Sequence, residues 1–470
     1  MTRPPHQHVE VRSAYADSVA LLQVSRTVSA LPGVAAAQVA MATPLNLDVL
    51  AGMGFEVPDD AGPNDMVVAL RLVDGDPTTL EAAVAGVDAA LRALRSARPA
   101  AADAQAPPRT TASALRGADP GDPVLVSVPG ASAAVEAADA LAAGHDVMIF
   151  SDNVPLEHEV ALKRAAAERG LLVMGPDCGT AVLDGVGLGF ANVTRPGPVG
   201  VVAASGTGCQ QLLALLDHAG VGVSWALGVG GRDLGRAVGG LATREALRRL
   251  DADPGVERIV LVSKPPDDEV AAALASYAAT LGTPVQLALL GPGLPDLTAV
   301  AEQVLADLGV PVPQWPVAGE VHREVRGELL VGLFAGGTLA QETELLCRQA
   351  GVPHEVVDLG DDELTHGRAH PMIDPTLRLE RLVRALEHPH TGVVQVDVVL
   401  GHGADPDPAA TLVPALAGAA RPVVVSLVGT AADPQDLLAQ RTALARVAEV
   451  HLSNAGATRR AIGLLTGGAR

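Results

Sequence analysis

Cysteine is scarce in this chain of 470 residues, where only Cys178, Cys209 and Cys347 occur. The three form no CxxC pair and no Cys/His spacing typical of zinc sites, so the sequence predicts neither a disulfide framework nor a bound metal. Long apolar runs are also lacking, and the N-terminal MTRPPHQHVEVRS has no apolar core of a signal peptide. We therefore expect a cytoplasmic protein without a membrane partner.

Aromatic side chains and positive charge are in short supply as well. Aromatics make up 2% of the residues, and 54 acidic against 33 basic side chains give a formal net charge of -21. Such a chain would repel a phosphate backbone and offers few rings on which bases could stack, so we expect no nucleic-acid partner. The sequence contains no Walker lysine motif, ATP-grasp signature, HExxH or GxSxG. We therefore do not expect it to bind and hydrolyse ATP alone.

Apolar residues, at 48%, fall in alternating strand-like and helix-like segments, which indicates an α/β fold. Residues 1–95 predict a small α/β domain, and residues 96–120, rich in Ala, Pro, Arg and Thr, predict a linker. In residues 121–195, near-continuous apolar strands alternate with amphipathic helices. This pattern is typical of a Rossmann-like parallel sheet that is covered on both faces.

An internal repeat organises the rest of the chain. VGVVAASGTGCQQLLALLDHAGV (199–221) matches VGLFAGGTLAQETELLCRQAGV (331–352), and IVLVS (259–263) aligns with DVVLG (397–401). The copies are about 130 residues apart, far beyond a solenoid period, which indicates a duplicated domain. We predict two flavodoxin-like lobes, 196–312 and 326–470, joined by a Pro-containing linker over 313–325.

Four glycine-rich turns lead from predicted strands into helices or loops and supply the candidate binding residues. In a doubly wound sheet, ligands collect at the carboxyl ends of the strands, where helix starts offer free N–H groups and a partial positive charge. We therefore predict that these turns bind phosphate or thioester groups. The residues are Asp177, Cys178, Gly179 and Thr180 in GPDCGT; Ser205, Gly206, Thr207 and Gly208 in ASGTGCQQ; Gly230 and Gly231 in GVGGRD; and Gly336, Gly337 and Thr338 in AGGTLAQE.

Each turn also has an ordinary structural interpretation. Ser205 could simply cap a helix, Cys178 could be a small buried hydrophobe, and Arg232 could form a surface ion pair with Asp233. Arg232 is a candidate catalytic residue because its planar guanidinium can hold a phosphate or carboxylate. The second copy of the Gly-Thr turn and the neighbouring GVGGRD favour an anion site.

Histidines in two loops are further candidates. His402 follows a predicted strand in GHGADPDPA, whereas His366, His370 and Asp374 cluster in HGRAHPMIDP. Imidazole titrates near neutrality and so suits acid–base work, although most loop histidines are solvated or cap a turn. His402 is the second candidate catalytic residue.

Several of these segments together resemble one known family. DVMIFSDNVPLEHEV, MGPDCGTAVLDGVGLGFANV, GPVGVVAASGTGCQQLL and GVGGRDL are similar to the FdrA family, itself similar to the CoA-binding and ligase domains of the succinyl-CoA synthetase alpha subunit. TPLNLDVLAGMGF, HPMIDPTLRLERL and VVLGHGADPDPA extend the resemblance over nearly the whole chain. The resemblance implies a CoA-binding Rossmann domain at 123–193 and an SGTG helix start that holds a transferred phosphoryl group.

Three activities follow from this resemblance as expectations. The first is an acyl-CoA synthetase-like subunit that handles an acyl-phosphate or CoA thioester beside a nucleotide-binding partner. The second is a subunit of an oxamate carbamoyltransferase, and the third is a non-catalytic metabolite-binding scaffold. The implied ligands are coenzyme A, phosphate or acyl-phosphate and a small carboxylate or amide acid, bound by an oligomer. The synthetases carry a phosphorylated histidine in a GHAGA-like loop where this chain has LALLGPGLPD; His402 follows an earlier strand of the second lobe.

Overall fold

The computed structural model describes residues 6–14, 16, 18–56, 61–62, 65–96, 108–119, 121–320, 323–365 and 370–467. The described residues divide into two compact units, one within residues 1–107 and one within residues 108–470. Among the described helices, none combines the length and apolar content needed to cross a lipid bilayer.

The first unit is a three-stranded antiparallel sheet packed against helices. Its strand order is β1-β3-β2, so β3 is central and its apolar residues 66–70 are buried. The main core joins the sheet to the first and third helices through Leu21, Val24, Leu70 and Val87. The elements are β1 (His6–Arg12), α1 (Ser18–Ser29), β2 (Val34–Met41), α2 (Pro44–Gly52), β3 (Met66–Leu72) and α3 (Pro77–Ser96).

The second unit begins with a small parallel sheet in the order β4-β5-β6. Its strands are short and apolar and alternate with helices, so the Rossmann-like pattern predicted from the sequence is confirmed. The elements are α4 (Thr111–Ala114), a 3-10 turn (Leu115–Gly117), β4 (Val124–Val126), α5 (Gly130–Ala142), β5 (Val147–Ile149), α6 (Leu156–Ala167) and β6 (Val173–Met174).

The first lobe follows as a six-stranded sheet in the order β12-β11-β9-β10-β7-β8. Strands β9 to β12 are parallel, whereas the β7–β8 hairpin pairs antiparallel with β10. The predicted boundary at residue 195 stays a prediction, and the hairpin just before it belongs to this sheet. The elements are β7 (Thr180–Leu183), β8 (Val186–Gly189), β9 (Val199–Ala204), α7 (Gly206–His218), β10 (Val223–Gly228), α8 (Leu241–Ala252), β11 (Arg258–Ser263), α9 (Asp268–Ala278), β12 (Val285–Leu289) and α10 (Leu297–Asp307).

The second lobe repeats this arrangement in the order β13-β18-β17-β16-β14-β15. Its parallel strands have the flavodoxin-like order, and β14 occupies the place that β9 has in the first lobe. The predicted duplication is thus confirmed. The elements are β13 (Val317–Ala318), β14 (Leu329–Phe334), α11 (Gly337–Ala350), β15 (His354–Asp358), α12 (Asp362–Thr365), α13 (Thr376–Glu387), β16 (Thr391–Val399), α14 (Pro408–Ala417), β17 (Val423–Val428), α15 (Leu437–Leu444), β18 (Glu449–His451) and α16 (Asn454–Thr466).

The two lobes share one apolar interior at the junction of α7 and α11. Leu212 and Leu216 of α7 belong to the same buried cluster as Leu339 of α11. Buried hydrogen bonds reinforce this junction: the Gln211 side chain donates to the Leu452 carbonyl (3.1 Å) and accepts from the Asn454 N–H (2.9 Å). The starts of the two repeated helices are therefore held against each other.

Candidate functional site

The start of α7 leaves two backbone donors open. Ser205 is the N-cap, with extended backbone, and its buried Oγ accepts a hydrogen bond from the Gly208 N–H (3.0 Å). Gly206 is exposed and Thr207 is half-buried, and their N–H groups meet no acceptor within the described part of the chain. The capping role of Ser205 is compatible with an anion site because it leaves these two amides free.

The residues just before α11 bind a buried carboxylate. The N–H groups of Ala335 and Gly336 both donate to the buried carboxylate of Asp397, at 2.8 Å each. Burial raises the pKa of Asp397, while the Arg378 guanidinium, which donates to the Asp397 backbone carbonyl (2.8 Å), lowers it. The next amides, of Gly337 and Thr338, have no acceptor among the residues that the structure describes.

The two helix starts touch each other across the lobe junction. Ser205 Oγ and Thr338 Oγ1 share a hydrogen bond of 2.5 Å. A Cβ added at Gly336 would lie 2.7 Å from the Thr207 side chain, closer than carbon atoms approach without displacement. Glycine at position 336 therefore allows the close approach of the two repeated turns.

The other two predicted turns adjoin these two. Thr180 Oγ1 would lie 3.7 Å from a Cβ added at Gly206, which brings GPDCGT beside ASGTG. Gly230 has a φ of +86°, and a Cβ there would lie 2.5 Å from the carbonyl oxygen of Pro176. All four turns are thus contiguous, as sequence reasoning had no means to establish.

Within GPDCGT, the individual residues have different surroundings. Cys178 is buried, burial raises the pKa of its thiol to about 12, and its Sγ donates to the Thr180 carbonyl (3.6 Å). A buried, protonated thiol packs as a small hydrophobe, and the role of Cys178 in binding stays a prediction. Asp177 is exposed at a φ of +56°, and the Gly179 carbonyl accepts from the Phe190 N–H (2.7 Å).

Arg232 contacts helix α6 and the loop that precedes it. Its Nε lies 2.9 Å from Glu159 Oε2, and its Nη2 donates to the Val154 carbonyl (2.8 Å). It therefore pairs with Glu159 rather than with Asp233. Its neighbour Gly231 is exposed and has open space where a Cβ would be.

Beneath Arg232 lies a fully buried ionic network. The Lys163 ammonium donates to Glu159 Oε1, to Asp233 Oδ1 and to the Val229 carbonyl, at 2.8 Å each. The side chains of Lys163, Glu159 and Asp233 are all 0% exposed. This network fixes GVGGRD against α6, which gives that turn a structural role.

The candidate histidines differ in their exposure and surroundings. His402 is exposed. Its backbone N–H donates to the Ala191 carbonyl (2.9 Å), and its ring lies 3.6 Å from the position of a Cβ added at Gly187. Burial lowers the pKa of His370 to about 4, so its ring is neutral at physiological pH. Asp374 accepts from Thr376, and His366 lies outside the described residues.

Sequence reasoning missed two charged residues beside the start of α11. Lys264 follows β11, and its Nζ lies 3.9 Å from Asp358 Oδ2 at the end of β15. A Cβ added at Gly337 would lie 2.7 Å from that Nζ and would collide with Asp358 Oδ2. Burial raises the pKa of Asp358 to about 6. A signal existed for Lys264, because only two of the 33 basic residues are lysines.

This arrangement has the chemistry of an oxyanion site. The amides of Gly206, Thr207, Gly337 and Thr338 and the ammonium of Lys264 are donors of the kind that hold phosphate and carboxylate oxygens. Fixed donors of this kind stabilise charge that develops on a tetrahedral oxyanion. Within the described ranges, no group of three or more metal-ligating side chains occurs.

Two family descriptions match parts of the chain. The CoA-ligase family matches residues 333–462, which include the start of α11. The AllF, heavy metal-associated domain matches residues 4–108. All three cysteines lie outside the latter range, so it contains no thiolate ligand for a soft metal.

Individual relatives match over different lengths. The Escherichia coli protein named "Uncharacterized protein YahF" is 34% identical over 445 residues, which cover 84% of each chain. The alpha subunit of succinate–CoA ligase [ADP-forming] from Methanothermobacter thermautotrophicus is 30% identical over 152 residues, covering 32% of this chain and 50% of that subunit. This chain thus spans about half the length of that ligase subunit.

The similarity to one solved structure is low in both sequence and fold. The apo dinucleotide-forming acetyl-coenzyme A synthetase 1 of Ca. Korarchaeum cryptofilum is 16% identical, covers 76% of this chain and 87% of its own, and gives a TM-score of 0.31. At that score, the similarity bears on neither mechanism nor site residues.

Proposed function

The chain belongs to the FdrA family of CoA-ligase-like proteins, and from that membership we propose that it is an acyl-CoA synthetase-type enzyme subunit that holds an acyl-phosphate between the starts of α7 and α11. The observation that carries the proposal is the contact between the two repeated helix starts, with Ser205 hydrogen-bonded to Thr338. Four amides without a described acceptor belong to these two helix starts. Two helix dipoles then act on the same negative group.

Each residue has a defined task in this proposal. The amides of Gly206 and Thr207 bind phosphoryl oxygens from one lobe, and those of Gly337 and Thr338 bind them from the other. When an acyl acceptor attacks the acyl carbon, the bond from that carbon to the phosphate oxygen breaks. These donors stabilise the departing phosphate, and they need no reorganisation because the helices hold them. Ser205 and Thr338 act as positioning residues through their shared hydrogen bond.

Coenzyme A is proposed as a cosubstrate on the family match alone. The start of α5, the first helix of the Rossmann-like sheet, is crowded: a Cβ at Gly130 would collide with the Asp152 carbonyl, and Pro129 provides no capping side chain. That carbonyl also opposes a phosphate at this helix start. We therefore derive no step through coenzyme A at this position.

The proposal includes a partner and leaves two alternatives to experiment. A nucleotide-binding subunit would supply ATP, as relatives that match about a third of the chain are named as subunits of CoA ligases. Phosphate-dependent carbamoyl transfer and a non-catalytic scaffold are the alternatives, and neither draws support from the relatives above. The chain would be purified with its partner subunits and assayed for ATP-dependent CoA thioester formation and for carbamoyl transfer to phosphate.

A proline substitution tests the anion site directly. Thr207→Pro removes one amide donor at a first-turn position, where proline fits a helix. We expect acetyl phosphate to bind at least about tenfold more weakly to the full chain, since a hydrogen bond to a charged group contributes about 1.5–3 kcal/mol. Isothermal titration calorimetry would measure this affinity.

The matched control is Asp268→Pro at the start of exposed helix α9, which should leave binding unchanged. Equal affinity of a folded Thr207→Pro protein and the wild type would contradict the site. Absence of acetyl phosphate binding to the wild type would contradict the proposed function itself.

A further inference from the structure

Lysine is used at only two places in this chain, positions 163 and 264, while the other basic residues are arginine. Lys163 is sealed in its ionic network and is 0% exposed. The Lys264 side chain is 39% exposed and lies where the two lobes meet. Lysine is a compact, movable point charge, unlike the rigid arginine fork, so its use here points to a specific task.

Lys264 lies beside the start of α11 and has one carboxylate partner, which is not within hydrogen-bond distance. Its Nζ borders Gly337, the first residue of α11, where the helix carries partial positive charge. The opposite charge of Asp358 is 3.9 Å away, beyond hydrogen-bond distance. Lys264 makes no hydrogen bond to any residue in the described ranges. Lys264 therefore keeps hydrogen-bond donors available to a bound anion, beside the carboxylates of Asp358 and Asp397.

The Asp358 carboxylate takes up a proton at higher pH than an ordinary aspartate. Burial is the main cause that raises its pKa to about 6; nearby carboxylates add to the rise, and Lys264 and the Gly360 N–H (2.9 Å) oppose it. His370 packs against Gly360 but is neutral, because burial lowers its pKa. The titratable groups around Asp358 are Lys264, Asp361, Asp397 and His370.

We propose that Lys264 is the counterion of the anion bound between α7 and α11, and that Asp358 holds Lys264 when the anion is absent and competes with the anion for it. This role rests on the proposed function and deepens it. The Asp358 carboxylate carries one negative charge. Its replacement by a phosphate-type group as the partner of Lys264 is favourable when the incoming group carries two charges. The site therefore selects dianionic oxyanions over monocarboxylates.

Chemical labelling provides a direct test, because the chain has one accessible lysine and one buried lysine. The full-length protein would be treated with trinitrobenzenesulfonate, and labelled peptides would be quantified by mass spectrometry. Sulfate should protect Lys264 from labelling, whereas acetate at equal ionic strength should not. Lys163 should stay unlabelled throughout and serves as the internal control for folding.

Substitutions distinguish the roles of the Lys264 and Asp358 side chains. Lys264→Gln should weaken sulfate binding about tenfold and Lys264→Arg by less, since one charge pair is lost or displaced. Asp358→Asn should tighten sulfate binding about threefold or more at neutral pH, because the competing charge is gone. The double variant should behave like Lys264→Gln, since the carboxylate acts only through the lysine.

The pH dependence has a defined sign. As the pH falls through about 6, Asp358 gains a proton and releases Lys264, so wild-type sulfate affinity should rise. Sulfate keeps both charges over this range, which removes the titration of the probe itself. The rise should disappear in Asp358→Asn and persist in a protein with Asp268→Asn, a substitution on exposed helix α9.

The outcomes distinguish the two proposals. If the wild type binds neither sulfate nor acetyl phosphate, the proposed function and the counterion role are both wrong. If it binds them while Lys264→Gln and Asp358→Asn leave affinity and its pH dependence unchanged, only the counterion role is overturned. Protection of Lys264 together with opposite shifts in the two variants supports it.

Discussion

Lys163 is a basic side chain with 0% exposure, and its ammonium is held by Glu159 and Asp233. Removing the cation leaves the buried Asp233 carboxylate without its ionic partner and leaves Glu159 with Arg232 alone. Breaking a buried pair by deleting one partner costs roughly 3–5 kcal/mol. The network therefore controls how α6 sits on the turn that contains Arg232.

We expect Lys163→Met to lower the free energy of unfolding by about 3–5 kcal/mol, as measured by urea denaturation. The control is Arg248→Ala, which breaks an exposed pair with Glu245 and should change stability by less than about 1 kcal/mol. Similar small effects for both substitutions would show that the buried network is dispensable.

Residue-level chemistry was only partly accessible from the sequence. The Ser205 cap follows from a serine directly before a helical pattern. The pairing of Arg232 with Glu159 joins residues 73 positions apart, and no local pattern encodes such a contact. Lys264 was missed because it sits in no motif, although the rarity of lysine marked it.

At the scale of elements, the repeated strand–turn–helix units were predictable because their glycine and threonine positions align. Their mutual orientation was not, since hydrophobic periodicity shows which face of α7 or α11 is buried but not against which partner. The hairpin β7–β8 shows the same limit. Its sequence indicates two strands, whereas its pairing with β10 is a property of the folded sheet.

The contact between the two helix starts can be measured as a coupling energy. Ser205→Ala should cost about 1 kcal/mol from the lost cap alone. Thr338→Val removes the partner hydroxyl with little change of shape. In a double-mutant cycle we expect a coupling of about 0.5–1.5 kcal/mol, typical of one buried hydrogen bond.

The comparison uses urea denaturation of all four proteins. Ser453, the N-cap of α16, shares a hydrogen bond with the Thr298 hydroxyl and supplies a second cycle at another helix start. A coupling near zero between Ser205 and Thr338, with a normal value for the second cycle, would show that the helix starts do not touch in solution.

At the scale of the whole molecule, the first unit has a complete core of its own. The sheet is covered on one face by α1 and α3, and Phe55 and Val67 belong to a buried cluster on the other. By contrast, β4, β5 and β6 have two or three residues each. So small a sheet buries little surface without neighbours.

We expect a fragment of residues 1–107 to fold alone, with α/β circular dichroism and a cooperative thermal transition. A fragment of residues 121–195 should not, because its short sheet and the orphaned β7–β8 hairpin lose their neighbours. Cooperative unfolding of the second fragment would contradict this view of the Rossmann-like segment as dependent on the first lobe.

The buried bonds from Gln211 to Leu452 and Asn454 have one more consequence. Since both halves of the proposed anion pocket lie on a single polypeptide, their meeting is intramolecular and cannot be undone by dilution. If the proposed partner subunit dissociates, the contact between the two helix starts should stay assembled.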